Sequence, residues 1–214
     1  MNPIREKNRK SEAVQPLLFR PHMDTVTLIH VLQQVARAMT PFYRAIATNR
    51  RYAQRWSEAV MDADLTKMEH MLRQVSPLAA RQGIASNGIG YFISFASPPP
   101  IDNVANGVTI PPGSVQFFFE TRSHRSLAYH VLPFYRTLAQ DKVFAIRLAR
   151  AILQRDRARI RRLLRACIRT PHLRTIAIQD EGIFLTFAFP FSRFQYQNVL
   201  FRDVIEPDWD SEQE

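Results

Sequence analysis

The chain has 214 residues, 46% of them hydrophobic, and 29 Lys and Arg against 19 Asp and Glu leave a net charge of +10. This is enough for a real core in one domain or two small ones, with no apolar run of spanning length and no apolar leader in the opening MNPIREKNRKSEAVQP. One cysteine excludes an internal disulfide and makes a reducing, cytoplasmic setting the default, and six glycines with no phosphate-loop pattern argue against the common nucleotide-binding enzymes.

In chain order, residues 1–23 read as a flexible basic arm. A helix is expected from Asp24, with Val31, Val35, Ala38 and Met39 at helical spacing. Pro41 predicts a kink or a restart, with Thr40 as N-cap and a helix running to about residue 61. Asp64 then caps LTKMEHMLRQV, whose apolar face is Met68, Met71, Leu72 and Val75. QGIAS and IGYFISFAS flank Asn87-Gly88 as a β-hairpin, with Tyr91, Ile93 and Phe95 on one face. A Pro-rich loop, SPPPIDNVANGVTIPPGS, follows, and VQFFFET (115–121) reads as a further strand.

The remainder repeats this order. Pro133 opens a helix to about residue 153, and Asp156 caps RARIRRLLRAC, whose apolar face is Ile160, Leu163, Leu164 and Cys167. RTIAI and GIFLTFAF flank Asp180-Glu181, FQYQNVLF is a last strand, and residues 203–214 form an acidic tail.

The repetition is visible in the letters. PFYR occurs at 41–44 and at 133–136, and at that offset of 92 residues 41–98 match 133–190 at roughly 18 of about 58 positions, where unrelated sequence gives about 3. The sequence is therefore expected to be an α+β fold built from an internally duplicated module. Each module is two helices followed by an antiparallel β-hairpin or a three-stranded meander, with a pseudo-twofold relation. The modules span 24–121 and 122–202; the same apolar strand face in both points to one shared sheet or core, with separate lobes as the alternative.

Charge is concentrated in the second module. Between Lys142 and Arg174 stand roughly 11 basic residues and one acid, Asp156. At 100° per residue, Arg155, Arg159, Arg161, Arg162, Arg165 and Arg169 share one arc, opposite the apolar set. At the matched positions of the first module Lys67, Glu69 and His70 replace Arg159, Arg161 and Arg162, so the module folds without the cluster. Three readings compete: a solvated face neutralised by the acidic tail (Asp203, Glu206, Asp208, Asp210, Glu212, Glu214), a phosphate-binding face for nucleic acid, and a contact for a protein or an anionic membrane surface.

Catalytic signals are lacking. The six histidines (22, 30, 70, 124, 130, 172) show no ligand spacing, His124 and His130 are expected in surface or capping roles, and Cys167 falls on a core position. No catalytic, metal or cofactor residue is assigned, and no nucleic-acid motif is found; Phe117, Phe118, Phe119, Tyr91 and Phe92 could stack on bases only if exposed. The sequence reads as a non-enzymatic interaction or assembly protein recognising a protein partner through its arginine face, with self-association expected beside it. The alternative is a nucleic-acid-binding protein using the same face, and an uncharacterised enzyme is third.

Overall fold

The computed structural model describes residues 24–98, 103–113, 115–179 and 182–203, without the side chains of 201–203. The expected basic arm, the Asp180-Glu181 turn and residues 204–214 of the acidic tail lie outside them.

Helix α1 (Thr25–Thr48) starts where Asp24 Oδ1 accepts from the N–H groups of Val26 and Thr27. It runs unbroken through Pro41, contrary to the expected restart. Thr40 is not an N-cap; it lies inside the helix and its hydroxyl donates to Ala36 O at 2.6 Å. Burial of Met39, Phe42, Tyr43 and Ile46 on both sides of the proline outweighs the one lost backbone bond. The break falls instead at Asn49, which caps α2 (Arg50–Met61) by accepting from Tyr52 N. Asp64 caps α3 (Leu65–Val75) as expected, through Lys67 N at 2.9 Å.

A short 3-10 turn (Ala79–Arg81) leads to strands β1 (Gly83–Ser86), β2 (Gly90–Ala96) and β3 (Asn103–Thr109). The order then recurs: α4 (Thr121–Gln140), α5 (Lys142–Leu153), α6 (Arg157–Cys167), β4 (Leu173–Ile178), β5 (Gly182–Phe187) and β6 (Tyr196–Asp203). Three helices therefore precede each strand set, not two. Asp141 makes the second break, capping α5 through Phe144 N at 2.9 Å.

Residues 115–120 are not a strand. Phe119 is buried against Tyr196, Phe118 rests on Phe194, and Glu120 N donates to the Tyr196 hydroxyl, so the segment is pinned by side chains into irregular backbone before α4. The third strand of the first half is β3, inside the stretch expected as a Pro-rich loop.

All six strands form one antiparallel sheet in the order β1-β2-β3-β6-β5-β4. β3 and β6 meet at its centre, with Gly107 opposite Val199. A Cβ on Gly107 would lie 1.9 Å from Tyr91 O, so the close strand approach there requires glycine. The core fills the space between helices and sheet: Tyr91, Ile93 and Phe95 on β2 and Ile183, Leu185 and Phe187 on β5 are all buried. α1 and α4 form the most extensive helix pair over the sheet centre.

At that centre lies a closed ring of hydrogen bonds. The Tyr43 hydroxyl donates to Asn106 Oδ1 (2.7 Å), and Asn106 Nδ2 donates to the Tyr135 hydroxyl (2.6 Å). Tyr135 donates to Asn198 Oδ1 (2.8 Å), and Asn198 Nδ2 donates back to Tyr43 (2.8 Å). The remaining amide protons go to Val199 O and Gly107 O. All four side chains are buried, and each amide is satisfied at both ends. The two tyrosines belong to the repeated PFYR word.

Candidate functional site: the arginine face and a polar cleft

Helix α6 is set by its ends. Arg155 adopts φ +53, the left-handed turn that closes α5, and Asp156 Oδ1 accepts from Arg159 N at 2.8 Å to start the helix. Ile160 and Leu164 are buried, Leu163 and Cys167 pack half-buried against the core, and burial pushes the Cys167 thiol above its ordinary pKa. A thiol so placed is a poor nucleophile.

The six candidate arginines divide. Arg159, Arg161, Arg162 and Arg165 lie on α6 as i, i+3 and i+4 neighbours, with Arg159 half-buried and the other three exposed. Arg155 and Arg169 are exposed but lie outside the helix, so helical spacing does not place them on its face. The left-handed turn separates the first, and the C-cap at Ile168 (φ −106, ψ 87) the second. Arg161 Nε donates to Ile176 O at 3.4 Å and Arg169 Nε to Ala166 O at 3.2 Å.

Among the described residues none of the six has an ion-pair partner. The contrast with positions 92 residues earlier is direct. There Lys67 approaches Glu58 at 4.0 Å and Arg73 pairs with Glu69; here Arg159 and Arg150, and Arg165 and Arg161, hold those positions. Like charges at i, i+4 cost a few tenths of a kcal/mol where opposite charges contribute as much.

A second basic feature was not singled out in the sequence. Arg122, Arg125, Ser126, Tyr129 and His130 recur on α4 at i, i+3, i+4, i+7 and i+8, and with Ala47 near the end of α1 they line an open cleft of about 360 Å³. The Arg125 fork donates to Ala47 O at 3.0 Å, satisfying one of the last carbonyls of α1, while its Nε is buried without a partner among the described residues. The Arg122 guanidinium stacks 3.9 Å over the Phe191 ring. His130 lies against Phe187 and Phe189 with His172 5.7 Å away, and burial, with the neighbouring imidazole second, lowers its pKa. The signal was the polar stripe itself, at the spacing ordinarily used to bury apolar residues.

His124 is neither a surface nor a capping residue. It is fully buried among Phe42, Tyr91 and Phe119, with Nε2 2.9 Å from the Tyr91 hydroxyl and Nδ1 unpartnered; burial brings its pKa down to about 3. Of the aromatics considered for base stacking, Phe117 is exposed, whereas Phe119 and Tyr91 are core. Among the described residues no group of three or more His, Cys, Asp or Glu could hold a metal ion, and no helix is long and apolar enough to cross a membrane. No protein-family model, curated protein or solved structure significantly matches this chain.

Proposed function

We propose that this chain is a non-enzymatic interaction protein that docks an acidic surface of a protein partner on the α6 arginines, principally Arg161, Arg162 and Arg165. The observation that carries the reading is that like-charged arginines stand where two ion pairs stand 92 residues earlier: Arg161 with Arg165 within α6, and Arg159 of α6 with Arg150 of α5. A purely solvated face has no use for that repulsion, whereas a partner's carboxylates would relieve it.

The same reading takes the chain as two copies of one module about a pseudo-twofold axis. Its support is that α2 and α5, and α3 and α6, have equal lengths with bounds 92 residues apart, and that Tyr43 and Tyr135, and Asn106 and Asn198, are related by the same step. Self-association belongs to this reading, since β1 and β4 end the sheet with one strand edge each unpaired among the described residues.

The test is anisotropy with a labelled glutamate-rich peptide and an RNA of equal charge, across a salt series. R161E/R162E/R165E is expected to weaken peptide binding at least tenfold. R50E/R51E/R55E, an equal charge change on exposed α2 positions, should leave it within about threefold. Equal loss in both variants would mean attraction by net charge alone and sink the proposal. Binding of RNA but not peptide, through α6, would transfer the face to nucleic acid.

A further inference from the structure

We propose that the cleft between α4 and the end of α1 is a binding site for a small-molecule phosphomonoester. The oxyanion would be held by Arg122 and Arg125, with Ser126 and the exposed Tyr129 at the rim. This is a different site from the α6 face and does not depend on the reading of that face.

The first argument is charge. Among the described residues two arginines line the cleft, no carboxylate does, and neither arginine has an ion-pair partner. The second is the state of Arg125. One terminal nitrogen donates to Ala47 O, while its Nε–H has neither solvent nor a partner among the described residues. A buried unpaired donor is costly, and turning the guanidinium from Ala47 O so that its Nε edge meets an oxyanion would satisfy it in the two-point geometry guanidinium favours. The third is positioning. Arg122 is braced on the Phe191 ring, so this cation is held before any ligand arrives.

The donor set also selects the anion. The hydroxyls of Ser126 and Tyr129 have no hydrogen-bond partner among the described residues, which leaves two hydroxyls beside two guanidinium groups for an anion rich in acceptor oxygens. A phosphate monoester offers three such oxygens and a carboxylate two. The volume, about 360 Å³, lies at the lower end of small-ligand sites and suits a molecule no larger than a nucleotide, with the Tyr129 ring (66% exposed) available as a flat rest for its organic part.

Calorimetric titration of the full chain with inorganic phosphate and with adenosine monophosphate tests this, beside NMR of the arginine Nε–H groups. Both probes are expected to bind, the nucleotide more tightly, and the Arg125 Nε–H resonance should move on addition of either. R122Q should weaken both at least tenfold. R125K, which keeps the charge and loses the fork, should weaken both and abolish the NMR response, with melting temperatures checking that each variant is folded. R161E/R162E/R165E should leave binding within about threefold, which separates failure here from failure at α6. The proposal is overturned by no binding of either probe at millimolar concentration. It is equally overturned by binding unchanged in R122Q and R125K, or by an oligonucleotide that binds through these two arginines when the nucleotide does not.

Discussion

Replacing Tyr135 by Phe removes one hydroxyl from a sealed network while keeping the aromatic body, whose ring centroid lies 4.9 Å from that of Tyr43. Asn198 Oδ1 then loses its donor, and one Asn106 Nδ2 proton loses its acceptor while the other keeps Val199 O. A neutral hydrogen bond contributes about 1 kcal/mol net, and a buried polar group left unpaired costs about 1–3 kcal/mol, so Tyr135→Phe should cost roughly 2–4 kcal/mol. Against a typical total of about 5–15 kcal/mol that is a large share. Tyr43→Phe has the mirror-image consequence: Asn106 Oδ1 is orphaned, and one Asn198 Nδ2 proton loses its acceptor while the other keeps Gly107 O. The two losses should therefore agree closely. The broken bonds are disjoint, so simple addition gives about 4–8 kcal/mol for the double variant. Cooperativity around a closed ring makes the first break the larger, and the double should fall short of the sum by about 0.5–1 kcal/mol. Urea unfolding of the four proteins measures this, with equal m-values as the check on two-state behaviour. A Tyr135→Phe loss under about 0.5 kcal/mol, or singles differing by more than about 1 kcal/mol, would refute the reasoning.

The buried His124 makes stability pH-dependent: with its pKa held near 3 in the fold against 6.5 free, its contribution is intact above pH 6.5 and is lost as pH falls toward 3, with a slope approaching about 1.4 kcal/mol per unit. Tyr91→Phe with His124→Leu removes both ends of the bond; the urea midpoint should then lose that dependence between pH 6 and 4, and an unchanged slope would assign it elsewhere. Ala63 is held at φ +50 in the turn that closes α2, so Ala63→Gly should raise the calorimetric melting temperature by about 2–4 °C, and a lower one would mean that unfolded-state entropy outweighs the relieved strain.

Local signals were legible and tertiary ones were not. Asp64 and Asp156 could be read as caps because a cap needs only its own next three residues. The hairpin strands could be read because alternation records burial directly. β3 was hidden because NVANGVT carries the letters of a turn; it is a strand because β2 and β6 pair with both of its edges, and Asn106 points inward because two distant tyrosines complete it. VQFFFET misled in the opposite way, since Phe118 and Phe119 are anchors for a connection. The arginines within α6 followed from spacing alone, but Arg155 and Arg169 did not, because helix ends are set by backbone conformation. The cleft needed Ala47 from another helix beside the α4 stripe, a juxtaposition no window of sequence contains.

Half of the hydrogen-bonded ring precedes residue 114 and half follows it, and β3 and β6 lie side by side at the middle of the sheet. A cut in the 110–120 connection would not yield two self-sufficient fragments. Each would keep one tyrosine and one asparagine whose complements travel on the other, together with a bare strand edge where the widest part of the sheet had been. The severed pieces would be matched parts with every reason to find each other again, and the strength of the molecule resides in the seam itself.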